Sequence, residues 1–348
     1  GVMVCGMTEP PARSHPEHPP ANPVRPDPAS IIVPRKHGQI LAEPPLDAVK
    51  DAAKTWHSSN HNCKLTGFTL THAQMIALAR EDLWRAAEAH AGAIGISAGS
   101  RPADDRPWVL TGHQVEFYHP GVWAKVIAAD ELAHRAGGVA FDLLVDHDVV
   151  DHLGFDVPAR EGDAWVRRQV HYAQAGAIPA DGLAPPGAES FTAWQNELNQ
   201  YPLSKVDTLR RVMKTLQPTA GTAHAGGYTP WLSRARRELE QSLGVNVIHV
   251  PTSGLCSGEA WKHFVAAWIG NAQFWVHHYN HHLARYRKRA GIKNPHHPMP
   301  DLEARGDVME LPFWIYKIGQ PRQRMTLQNG RIAAGEKRYD LSELLAAG

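Results

Sequence analysis

A chain of 348 residues, 43% apolar and 20% charged, holds enough material for a proper core in one large domain or two ordinary ones. Its 36 Lys and Arg stand against 35 Asp and Glu, and a net charge of +1 argues against the broad basic surface of a nucleic-acid binder, although a local patch stays open. No apolar run reaches the roughly 18 residues that cross a bilayer. Three cysteines, Cys5, Cys63 and Cys256, at no metal-like spacing, argue against a disulfide framework.

In chain order, residues 1 to about 44 read as a tail. The stretch Pro10–Pro28 removes backbone donors and fixes φ, so neither a helix nor a central strand is available, and Ile31–Val33 can at most add an edge strand. The first seven residues run into this proline-rich sequence instead of a long apolar stretch, so no signal peptide is expected and the cytoplasm is the default compartment. The body is expected over 45–348. Met75, Ile76, Leu78, Ala79, Leu83 and Trp84 give helical spacing between Thr71 and His90, with Thr69 or Thr71 as N-cap.

Pro107–Leu110 is a short apolar run that ends at Thr111-Gly112. A helical pattern follows from Gly121 to Ala136, then a second apolar run, Phe141–Val145, broken by Asp146. Strand, polar loop, helix, strand, polar loop is the pattern of a parallel βαβ unit. Farther on, Asp207–Leu216 and Thr229–Leu243 read as helices and Val245–Val250 as a strand. Pro251–Gly258 reads as a loop, Glu259 to about Lys288 as one long helix, and Glu310–Tyr316 and Arg322–Gln328 as late strands. The expected architecture is α/β: a Rossmann-like parallel sheet with helices on both faces and a helical insertion at about 175–240.

In such a sheet, ligands bind outside the carboxyl ends of the strands. Two polar loops leave strands at that end. In the first, Thr111, Gly112, Gln114 and His119 are candidate binding residues and His113 a candidate catalytic one. Gly112 permits a tight turn, and the helix beginning near Gly121 offers free N–H groups to an anion, with Lys125 one turn inside it. An ordinary turn and a solvated lysine explain the same residues. The second loop places five ionisable groups in seven positions, Asp146, His147, Asp148, Asp151 and His152. Buried charge needs partners, and alternating Asp and His suit either a divalent metal or an acid/base pair, so Asp146, His147 and Asp148 are candidate catalytic residues. A capped, salt-bridged turn is the alternative.

Ser253 and Cys256 lie between a strand and a helix, where N–H groups can cradle an anion and lower a thiol pKa. His277, His278, His281 and His282 form two i,i+4 pairs on the late helix, a zinc-compatible spacing that helix-surface histidines explain as well. Glu310–Trp314 reads as a structural corner. The 22 histidines and 11 tryptophans are the compositional excess, which coding bias alone can produce.

Thr111-Gly112-His113-Gln114, Phe117, Pro120-Gly121, Lys125 and then Asp146-His147-Asp148 resemble the bacillithiol synthase family over about residues 107–155. The family pattern runs Thr-Gly-Gln-Gln, a Gly-Pro turn, a helix carrying Lys, and Asp-His-Asp. Here His113 replaces the first Gln and the turn is reversed to Pro-Gly. The resemblance implies a Rossmann core related to class I nucleotidyltransferases. It implies condensation of an amine- or thiol-bearing small molecule with a carboxylate, with ATP or another nucleotide as an open cofactor. The rival expectation is a metal-dependent hydrolase built on Asp146, His147, Asp148 and His152, and a non-catalytic small-molecule-binding protein is a third.

Overall fold

Three runs rich in branched and aromatic residues pair in parallel in the computed structural model of the chain, which describes residues 36, 41–42, 44–51, 67–174, 176–202, 206–217 and 227–346. Pro10–Pro28, Ile31–Val33, Cys5 and Cys63 lie outside the described residues. The strands are β1 (Trp108–Gln114), β2 (Val139–Val145) and β5 (Val247–Pro251), in the order β1-β2-β5. The chain is α/β.

Alternation along the strands splits the core, because successive side chains point to opposite faces. Phe141 and Val250 pack with Leu83, Trp84 and Ala87 of α1 (His72–Ala93). Ala140 and Val247 pack on the other face with Trp123, Val126 and Ala133 of α2 (Pro120–Ala136). Helices therefore cover both faces. Helix α1 begins at a capping box in which Thr71 and Gln74 satisfy each other's backbone donors. Helix α2 ends on Gly137 at φ 68°, a left-handed conformation that suits glycine.

The segment between β2 and β5 begins earlier than expected and is not wholly helical. It opens with an antiparallel hairpin, β3 (Gly154–Glu161) and β4 (Ala164–His171). Only then come α3 (Ala188–Leu198), α4 (Asp207–Leu216) and α5 (Tyr228–Ser242). In β3 the inward residues Phe155, Val157 and Ala159 alternate with the exposed Asp156, Pro158 and Arg160, but β4 buries only Val170. Trp194 of α3 locks onto that strand, its indole N–H donating to the Val170 carbonyl at 3.1 Å.

The single long helix expected from Glu259 is two, α6 (Glu259–Gly270) and α7 (Ala272–Arg289). Asn271, at φ −129° and ψ 30°, breaks it, and its side-chain amide donates to the Ala267 carbonyl at 2.9 Å, where a helical N–H would otherwise bond. The late strands belong to a five-stranded antiparallel sheet of β6 (Ala304–Arg305), β7 (Val308–Ile315), β8 (Gln323–Gln328), β9 (Arg331–Ala334) and β10 (Lys337–Tyr339). The short helix α8 (Leu341–Ala346) follows. The register shifts between Glu310 and Trp314, around Pro312, so the expected corner is a bulge inside β7. No described helix is long and apolar enough to cross a membrane.

Against the α2 face of the sheet sits a buried charge cluster. The Arg236 side chain of α5 is fully buried and pairs with Asp142 of β2, which is also fully buried. Its second guanidinium N–H donates to the Tyr118 hydroxyl at 2.8 Å, and Glu240, one turn along, lies 3.5 Å away. Removing one member of such a set strands the others in low dielectric. Arg236→Met is therefore expected to lower the unfolding free energy by about 3–5 kcal/mol, read as a lower urea midpoint at unchanged m-value.

Candidate functional site

Thr111, Gly112, His113 and Gln114 are not a loop but the last residues of β1, paired with Asp142, Leu143, Leu144 and Val145. Gly112 makes no turn. A Cβ there would lie 2.9 Å from the Leu143 carbonyl oxygen, so glycine serves the close approach of β1 to β2. Gln114 donates across the strand ends to the Asp148 carboxylate at 3.4 Å. The two polar segments thus do meet at the carboxyl end of the sheet. The His113 ring stands edge-on to Tyr118, its Nδ1 buried without a partner, and burial together with nearby Lys125 pushes its pKa down.

The N-terminus of α2 is not an open anion site. The His119 ring caps it, accepting from the Gly121 N–H at 3.0 Å, while the His119 carbonyl takes the N–H groups of Val122 and Trp123. The ring lies so close over Gly121 that a Cβ there would meet it at 2.6 Å. Lys125 is exposed and turns back to the Gly112 carbonyl, Nζ donating at 3.4 Å.

The acidic segment is held in place by its neighbours. Asp146 is 2% exposed and accepts from the Ser253 backbone at 2.8 Å and the Ser253 hydroxyl at 2.7 Å. His147 Nδ1 is 2.7 Å from the Thr252 hydroxyl. Asp148 pairs with Arg322 at 2.7 Å, and the same arginine reaches the His147 carbonyl at 3.4 Å. These bonds join the end of β2 to the turn after β5 and to the C-terminal sheet. Asp146, His147 and His152 do not converge as metal ligands. Among the described residues the one group at that spacing is Asp142, Glu240 and His249, in the core, its two carboxylates already paired with Arg236 and its imidazole bonded to Glu240. The four histidines of α7 are exposed, their i,i+4 ring centroids 6.2 Å apart.

Ser253 lies in a 3₁₀ turn, Thr252–Leu255, its N–H spent on Asp146. The start of α6 is also filled, by Asp82 of α1, whose carboxylate accepts from the Ala260 N–H at 2.8 Å. Cys256 does not have the lowered pKa that its place before α6 implies. Burial, with Asp146 and Asp181 adding negative charge, raises its thiol to about 11.

Two cavities flank this junction, in place of the single cleft that adjacent strand-end loops imply. The first, about 780 Å³, lies beyond the end of β1 under the β3–β4 hairpin and α4. It is lined by His113, His119, His152 and His171, with Glu116 and Arg167, set in walls that include Phe117, Phe155 and Trp165. Glu116 was not among the residues singled out from the sequence. Burial raises its carboxyl pKa in spite of His152 beside it, and it accepts from the Asp151 N–H at 3.3 Å. The second cavity, about 1390 Å³, separates the ends of β2 and β5 from the C-terminal sheet and takes in Asp146, Ser253 and Cys256. Thr111, Gly112, Gln114, Lys125, His147 and Asp148 line neither.

No protein-family model matches this chain, and no curated protein matches it significantly.

A thiol raised to about 11 is almost wholly protonated at pH 8. Iodoacetamide should therefore alkylate Cys256 on the order of 100-fold more slowly than free cysteine at that pH, with mass mapping of the Cys256 peptide as the readout. Labelling at the free-thiol rate would contradict the burial and acidic neighbours assigned to it.

Proposed function

We propose that this chain is a small-molecule ligase or transferase with a Rossmann-like core, a remote relative of bacillithiol synthase, and that the first cavity holds its substrate. The observation that carries this is the convergence of His113, Glu116, His119 and His152 on one mainly apolar cavity at the carboxyl end of β1. Its volume, about 780 Å³, suits a small molecule. The Rossmann-like assignment draws support from the strand order β1-β2-β5 and from α2 and α5, which both lie on the face of Asp142 and Ala140. Consecutive parallel strands joined by crossovers of one hand place their helices in this way.

In the proposed reaction an amine or thiol attacks the carbonyl carbon of an acyl phosphate or acyl nucleotide bound in the cavity. The new C–N or C–S bond replaces the C–O bond to the phosphate, which leaves with that bond's electron pair. Glu116, whose carboxyl pKa is raised by burial, takes the proton from the nucleophile. His113 and His119 donate hydrogen bonds to the negative charge that develops on the acyl oxygen. Glu116 then passes its proton through His152, beside it, to the leaving phosphate. Asp146, His147 and Asp148 act as positioning residues that hold the end of β2 against β1, β5 and Arg322.

A thermal-shift panel of mononucleotides, with and without Mg²⁺, and of α-amino acids tests this. A ligand at 100 times its dissociation constant adds about 2.7 kcal/mol, which raises Tm by several degrees. That shift should vanish in His113→Ala, and Glu116→Gln should keep binding while losing turnover by about 100-fold or more. A panel in which nothing shifts the wild type, or in which His113→Ala responds equally, would remove the first cavity from the mechanism.

A further inference from the structure

From Ala260 to Pro300 the sequence contains six Lys or Arg and no Asp or Glu, in a chain whose net charge is +1. Seven histidines fall in the same stretch. Its middle is α7, a helix with two unlike sides. One side is fastened to the body. Ala272 and Val276 are buried there, the Tyr279 hydroxyl donates to the Pro300 carbonyl at 3.2 Å, and Asn280 exchanges hydrogen bonds with Leu302 at 2.9 Å. Arg287 is used on this side too, its Nη1 on Asp301 at 2.8 Å and its Nε on the His297 carbonyl at 3.1 Å.

The other side carries residues that recur three and four apart, Phe274, His277, His278, His281, His282 and Arg285, then Lys288 and Arg289. All of them are exposed. Arg285, Lys288, Arg289 and, just beyond the helix, Lys293 form no ion pair among the described residues. Lys288 and Arg289 also suit the negative end of the helix dipole. The dipole accounts for neither Arg285 nor the four imidazoles, which no hydrogen bond among the described residues uses.

The rings sit close enough to form one surface. Phe274 and His278 lie 4.0 Å apart centre to centre and 30° from parallel. His277 and His281 lie 6.2 Å apart and 19° from parallel, and the His281 and His282 rings are 5.5 Å apart. The strip therefore runs from flat rings at one end to unpaired cations at the other, about 22 Å along the helix from Phe274 to Arg289.

A membrane surface asks for a row of large apolar side chains, and Phe274 is the one such side chain on this face. Inorganic phosphate would engage the cations and leave the rings unused. Rings beside cations match a strand that alternates phosphates with unpaired bases, because exposed base faces stack on aromatic and imidazole rings while Lys and Arg neutralise the backbone. A duplex hides those base faces.

We propose that this face of α7 binds single-stranded nucleic acid. Arg285, Lys288, Arg289 and Lys293 contact the phosphates, and Phe274 with the neighbouring imidazoles receives the bases by stacking. The site is separate from both cavities and does not depend on the reaction assigned to the first.

Fluorescence anisotropy on the whole chain tests this, with labelled oligo(dT) and oligo(U) of about 20 nucleotides as probes. At about 50 mM NaCl, Kd should lie below about 100 µM for at least one of them. Four phosphate contacts imply a slope of log affinity against log salt of about −3, and so about 50-fold weaker binding at about 200 mM. The triple variant Arg285→Gln, Lys288→Gln, Arg289→Gln should bring that slope to about −1. Phe274→Ala should weaken binding about fivefold or more at unchanged slope, and an abasic strand of equal length should bind the wild type weaker by a similar factor. No binding at the lower salt, equal affinity for the abasic strand, or tighter binding of a duplex of equal length would overturn the proposal. So would a slope unchanged in the triple variant, or attachment to phosphatidylserine vesicles without binding to either oligonucleotide. The comparison of base-bearing with abasic strands uses the wild type alone, so it decides even where a variant misfolds.

Discussion

A guanidinium that cannot give up its proton lies fully buried against the sheet, and much of the surrounding geometry follows from it. Arg236 must be neutralised where it stands, so Asp142 sits in the middle of β2 and Glu240 one helical turn along. The Tyr118 ring also lies against it, the guanidinium carbon 3.9 Å from the ring centre. That contact anchors the connection from β1 to α2 and, through Tyr118, one side of the His113 ring. Glu240 passes the constraint on to His249 of β5. All three strands of the parallel sheet are therefore positioned, directly or at one remove, around a single charge.

The strand-end segments show the same logic on a smaller scale. Backbone N–H groups at helix starts and turns demand acceptors. Side chains of the chain itself supply them: His119 at α2, Asp82 at α6 and Asp146 at the turn after β5. The charges most conspicuous in the sequence are thereby largely consumed as joints. Residues that line the cavities are less conspicuous, Glu116 just before a phenylalanine and His90 at the end of an amphipathic helix.

Much of the fold was legible because the signals are local. The period of α1, the βαβ run from Trp108 to Val145 and the helix Asp207–Leu216 each depend on spacing within a dozen or so residues. The buried cluster was not legible. Arg236 and Glu240 at i,i+4 look like an ordinary solvated pair, and Asp142 is a lone acid in an apolar run whose partner stands 94 positions away. β4 escaped notice because it buries almost nothing. Two other misses had usable signals. Gly270-Asn271 marks the break between α6 and α7, and Asn329-Gly330, both at positive φ, is the hairpin turn that joins β8 to β9. For the candidate site, position at the carboxyl end of the sheet could be read from the pattern, but the division into two cavities could not. It depends on a hairpin and a C-terminal sheet that pack over that end from distant parts of the chain.

The long excursion between β2 and β5 also sets an order of events during synthesis. Roughly 100 residues separate the two strands, which a ribosome takes about 5–20 s to add. Helix α2 can dock on β1 and β2 within that interval, since their contacts are close in sequence. The far edge of β2 has no partner until Val247–Pro251 emerges, and Asp142 has no counter-charge until Arg236 does. An incomplete chain therefore carries both an open strand edge and an acid within that strand. The acid keeps the edge hydrated and discourages pairing with other chains, until α5 arrives to neutralise it and β5 closes the sheet.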